Sequence, residues 1–221
     1  MQDYGVEESA ADAYVRRLET SKTEVAPGLA LPDAGHVWAL DKFAGEPQLI
    51  QLKYTLVNVN NNAASNMLKT NLAPFIYKPK VTLELPGPAA VVRLHDATPA
   101  IFLVGVYKDE DAAEPRSQFA NLALVRVKVR GDKRVVSAIA FTQVTGNAKR
   151  SQEIIETSVE KFGANGWFKL MPKQPLEPGE YALVRLPEQD RMFGASIFDF
   201  AVDPSAPQDS NAVRAGSAKK E

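Results

Sequence analysis

Two histidines and no cysteine occur in the 221 residues of this chain. Without a thiol there is no cysteine nucleophile, no zinc–thiolate site and no iron–sulfur cluster. His36 and His95 each fall at the edge of an alternating stretch, and His95-Asp96 has the residue types for half of an acid–base couple. The other half is missing. No G-x-S-x-G stretch exposes a serine, and Gly194-Ala195-Ser196, the nearest approach, reads as a turn into a strand. Nothing specifies the carboxylates that a two-histidine metal site needs. Both histidines are therefore expected to be structural, with no metal and no cofactor.

The carboxylates are equally uncommitted. Asp109, Glu110, Asp111 and Glu114 cluster in "KDEDAAEPRSQ" (108–118), which lacks the spacing and glycine of a calcium loop and reads as a solvated connection. Asp199 and Asp203 would serve a glycosidase only if two carboxylates faced each other at a set separation. Strict alternation sends Phe198, Phe200 and Val202 one way and Asp199 the other, so Asp199 is expected on the surface.

Cations are better organised. Arg126, Lys128 and Arg130 line one face of a strand, with Lys133 and Arg134 just past its turn, and Val125, Val127 and Val129 lie opposite as the core face. The five form a water-facing edge that discourages stray pairing, or a surface for an anionic partner. Trp38 and Trp167 sit in strand contexts and read first as core, with stacking on a ligand such as a sugar as the other reading. No phosphate-cradling glycine loop is present. A net charge of −1 argues against a general nucleic-acid binder.

The elements that must position these groups are strands. Val6, Ala10, Tyr14 and Leu18 recur every four residues and predict one helix over residues 6–19. Pro27, Gly28 and Pro32 then mark a linker to residue 35. From His36 the period becomes two, in "HVWALDK", "QLIQLKYTLVNVN", "FIYKPKVTLEL", "AAVVRLH" and "AIFLVGVYK". In the second of these, Ile50, Leu52, Tyr54 and Leu56 form the better core face. Asn60, Asn61 and Asn62 suit a loop. Gly131-Asp132 predicts a two-residue hairpin turn, and Asn165-Gly166 another. The longest apolar run, 100–106, is far short of the roughly 20 residues of a membrane helix. Met1-Gln2-Asp3-Tyr4 opens on acidic sequence rather than a signal peptide.

The stretch "LEPGEY" (176–181) then becomes readable. It resembles the tyrosine corner of fibronectin-type-III and immunoglobulin-like sandwiches, where a tyrosine hydroxyl returns to backbone a few residues upstream. Leu176 would plug the core, Pro178 and Gly179 would turn the chain, and Tyr181 would bury its ring. The resemblance implies seven strands, at 101–107, 121–130, 134–143, 153–160, 166–171, 180–186 and 196–202. The antibody disulfide is absent, which suits the fibronectin-like relatives. Segments "HVWALDK", "PLEPGEYAL" and "FDFAVD" are also similar to uncharacterised bacterial exported proteins, which offer no function to transfer.

The reading at this point is an all-β antiparallel sandwich, favoured as two packed lobes over one. Residues 1–35 form a helical arm and linker, 36–107 a first β lobe, and 108–204 an immunoglobulin- or fibronectin-like sandwich whose first strand can be 101–107. Residues 205–221 are expected to be a flexible tail. The expected function is non-catalytic: an extracytoplasmic binding or assembly protein, acting on a protein partner through sandwich surfaces or an arm docked on a neighbour. A glycan- or ligand-binding module is the alternative. A hydrolase with a site between the lobes, built from His95, Asp96 or Asp199, comes third. No nucleic acid and no membrane span is expected.

Overall fold

A computed structural model describes residues 23–33, 35–60, 80–104, 122–141, 148–163, 166–185 and 197–216, together with Leu68. The helix expected at 6–19, Asn61 and Asn62, the acidic loop at 108–118 and the turn at 194–196 lie outside these residues. In chain order the strands begin with β1 (Glu24–Ala26), β2 (Leu29–Ala30), β3 (Val37–Phe43), β4 (Glu46–Leu52), β5 (Tyr54–Thr55) and β6 (Asn58–Asn60). Next come β7 (Lys80–Pro86), β8 (Arg93–Leu94), β9 (Ala100–Val104), β10 (Leu122–Arg130), β11 (Lys133–Phe141) and β12 (Ala148–Ser151). Last are β13 (Glu153–Ile155), β14 (Thr157–Phe162), β15 (Trp167–Pro172), β16 (Gly179–Arg185), β17 (Ile197–Val202) and β18 (Val213–Arg214).

These strands form a β-sandwich. One sheet runs β14-β15-β9-β3-β4-β18, and the other runs β5-β17-β16-β10-β11-β7-β6. Pairing is antiparallel except where β8 joins β17. Strands from before and after residue 108 share both sheets, so the β region does not divide there into two lobes.

Alternation explains the inner core. Ala39, Ile50, Leu52, Ile101 and Leu170 from the first sheet meet Leu124, Tyr181, Leu183, Phe200 and Val202 from the second. Both outer faces are covered as well. Leu29 and Leu31, in the expected linker, pack with Trp38, Leu49, Phe102 and Trp167. Residues 24–30 are thus a hairpin capping the first sheet. On the far side, Leu83, Leu85 and Val136 cover Val125, Val127, Ala182 and Val184. The described residues therefore form three apolar interiors rather than one.

The turns follow sequence chemistry. Arg130 pairs Lys133 across Gly131-Asp132, and Gly131 takes φ 62°, a value that favours glycine. The second hairpin closes through four residues rather than two, because Phe162 pairs Trp167. The expected flexible tail is docked through residue 216: Ala206 is buried and β18 pairs β4.

The corner is built as its residues suggest. Leu176 and the Tyr181 ring are buried, and the Tyr181 hydroxyl donates to the Glu177 carbonyl at 2.7 Å. The ring stacks on Phe200 at 5.8 Å between centroids. Burial pushes the phenol pKa up, against the pull of Arg126.

Candidate binding cleft

The inward-facing charges are consumed by structure. Arg134 is 3% exposed, so it does not belong to an outward basic surface. Its side chain points opposite to that of Lys133 and enters the layer under β7 and β11. There Nη1 donates to Glu180 Oε2 at 3.1 Å and to Asp199 Oδ2 at 2.5 Å, while Nε and Nη2 donate to the Gly87 and Pro86 carbonyls. Asp199 is 5% exposed, not on the surface, and also accepts from the Thr55 hydroxyl. Alternation turned it away from Phe200 correctly, but the opposite face is a second interior.

The other predicted residues separate. Lys133 donates to Glu84 at 2.8 Å. Burial works to raise the Glu84 pKa, but hydrogen bonds from Lys133, Thr82 and Asn60 outweigh it and hold it below the ordinary value. Arg126 pairs Glu177 and lies 6.0 Å from the Tyr181 ring centroid. Lys128 and Arg130 remain exposed. Trp167 is 2% exposed and Trp38 6%, with the Trp38 indole N–H donating to the Asp33 carbonyl. Both rings are largely buried, and Trp38 nevertheless lines the cleft described below.

His95 and Asp96 form no acid–base couple with each other. Asp41, fully buried on β3, accepts from the backbone N–H groups of both, each at 2.7 Å. The Asp96 side chain turns to Thr98 and Lys42, whose bonds overcome burial and lower its pKa. His36 is exposed beside Asp33. Asp203 bonds Ser205 and Arg93, which push its pKa down to about 2. Among the described residues no group of three or more histidines and acids is placed to hold a metal. No helix among them is long and apolar enough to cross a membrane.

What remains open is a cleft of about 450 Å³ on one side of the sandwich. It lies where the chain leaves β4 through Lys53 and enters the second sheet as β5. Trp38, Ile50, Gln51 and Lys53 line one wall, Val91, Val92 and Arg93 another, and residues 207–211 a third. On the cleft side neither flanking stretch is joined by a further strand among the described residues. β18 pairs β4 only at Leu49 and Gln48, which leaves 50–52 without a neighbour on that side among the described residues. β8 pairs only β17, through which the Val92 carbonyl accepts from Ala201.

The walls are held firmly. Arg93 is clamped by Asp203 at 2.8 and 3.0 Å. A turn in which Ala212 N–H donates to the Asp209 carbonyl at 3.2 Å leads the chain into β18 on the β4 edge. Val91 stands at the lip, 86% exposed. Of the candidates read from the sequence, Trp38 alone lines this cleft; Lys53, Val91 and residues 207–211 were not singled out, because they come from distant segments. A further local signal was Val91-Val92, where alternation must expose one valine.

Comparison with protein-family models, with curated proteins and with solved structures finds no match for this chain.

Proposed function

We propose that the chain is a non-catalytic binding protein and that this cleft takes an extended segment of another polypeptide. One observation carries the reading: the side of β4 beyond Leu49 that β18 leaves uncovered and the stretch 91–93 that leads into β8 border the same cleft, with no further strand beside either among the described residues. An extended backbone laid there adds a strand to an open sheet, so main-chain bonds give affinity and side-chain pockets give selectivity. Val91 is the apolar anchor at the rim, while Lys53 and Asp209 offer charge of both signs. A catalytic reading has less support, since the acids and the buried histidine are spent on structural bonds. An extracytoplasmic setting belongs to the proposal, supported only by the cysteine-free composition.

Panning a random peptide library against the full chain, beside a glycan array, tests the proposal. Peptides should be recovered, and Val91→Glu with Lys53→Glu should weaken them by about tenfold or more, as loss of an interface anchor does. Binding on the glycan array alone, or peptides indifferent to both changes, would replace it with the glycan-binding alternative or another surface.

A further inference from the structure

β10 and β11 pair only near their turn, from Lys128↔Val135 to Arg130↔Lys133. Beyond that they part. β10 continues against β16 and β13, and β11 against β7 and β12. A bulge marks the fork: Val135 faces Glu84 and Ser137 faces Leu83, which leaves Val136 as the extra residue. The chain of β12 and β13 crosses the opening, with Gln152 as the single residue between them.

The fork holds a notch of about 80 Å³ lined by Arg126, Lys128, Arg130, Ser137, Gln152 and Glu153. That is room for one tetrahedral oxyanion or a few waters, a water needing about 10–15 Å³. Among the described residues two wall atoms have no hydrogen-bond partner, the Ser137 hydroxyl and the Gln152 amide oxygen. Ser137 is 2% exposed. A buried orphan of this kind is costly enough that folded chains rarely keep one without a ligand or water to complete it. Here two sit in one notch beside three cations. Lys128 and Arg130 make no ion pair among the described residues.

We propose that this notch binds one monohydrogen phosphate ion. Lys128 and Arg130 supply the charge, and the guanidinium fork of Arg130 matches two phosphate oxygens. Ser137, turning on its single side-chain torsion, donates to a third. Gln152 Oε1 accepts the proton that the ion retains. Arg126 contributes less because Glu177 holds it at 2.5 Å, and the exposed Glu153 carboxylate opposes the anion. The retained proton sets the selectivity. Hydrogen phosphate keeps an O–H near neutral pH, whereas sulfate and a fully ionised phosphomonoester leave Gln152 unpaired.

Isothermal titration of the full chain in low-salt buffer at about pH 7.5, above the second pKa of a monoester, distinguishes the sources. Inorganic phosphate should bind at one site, with sulfate and glycerol phosphate weaker by about tenfold or more, as expected when a buried acceptor is left unpaired. The double variant Lys128→Gln, Arg130→Gln should lose about tenfold or more through its charge-assisted bonds. Ser137→Ala separates binding from folding: without phosphate it should melt no lower than the parent, yet bind phosphate more weakly. Absence of phosphate binding would mean that waters fill the notch and overturns the proposal. Sulfate equal to phosphate, or full affinity in the double variant, overturns it too.

Discussion

His95 Nδ1 lies 2.7 Å from Asp41 Oδ2, with both side chains buried. On its other side Nε2 meets the Ala206 carbonyl at 3.0 Å. Both ring nitrogens face acceptors, so only the doubly protonated ring satisfies both. Burial opposes that charge, but the bonds to Asp41 and Ala206 prevail and raise the His95 pKa above its ordinary 6.5. A raised histidine stabilises the fold fully below its unfolded value and loses that contribution as pH climbs through the folded one. Melting temperature should therefore fall as pH rises above 6.5, and His95→Gln should remove that slope. A parent profile that is flat there would show that the ring carries no proton linkage.

Removing Arg134 should be severe. Glu180 and Asp199 would be left buried beside each other without their shared cation. Arg134→Met is expected to cost about 3–5 kcal/mol, the usual scale for one lost partner of a buried pair. Lys133→Met, on the half-exposed side of the same strand, should cost about 1 kcal/mol or less. Urea unfolding of both variants at matched m-values makes the comparison.

The corner can be dissected by two substitutions. Tyr181→Phe removes the bond to Glu177 and should cost about 1 kcal/mol. Leu176→Ala opens the inner core at its end and should cost about 2–5 kcal/mol. Equal losses in the two variants would indicate that the hydroxyl matters beyond its one bond.

Strand periodicity, the 130–133 turn and the corner were legible because each rests on local chemistry. Burial was not. Leu49 and Ile50 point to opposite faces and both are buried, since the 24–30 hairpin covers the outer one. The same logic hid Asp199: alternation gave its direction, but whether that direction led to water depended on a ribbon distant in sequence. Arg134 was grouped with Lys133 on one edge, although neighbouring strand residues point to opposite faces, and it is buried. Tyr54 and Leu56 show the reverse error, expected in the core and found exposed where β4 has ended. Most of the cleft had no local pattern to read, because beside Trp38 it is assembled from segments distant in sequence.

Val91→Glu and Lys53→Glu should leave stability within about 0.5 kcal/mol, as exposed changes usually do. Thermal melts check this, and a large loss in either variant would mean that the cleft rim is part of the packing.

Hydrogen exchange on the full chain, with and without a library-selected peptide, tests the proposed function most directly. Slowed amides at residues 50–53 and 91–93, with little change elsewhere, are the predicted result, since an added strand occupies those edges. Protection confined to other surfaces, with the two edges exchanging as in the free protein, would contradict it.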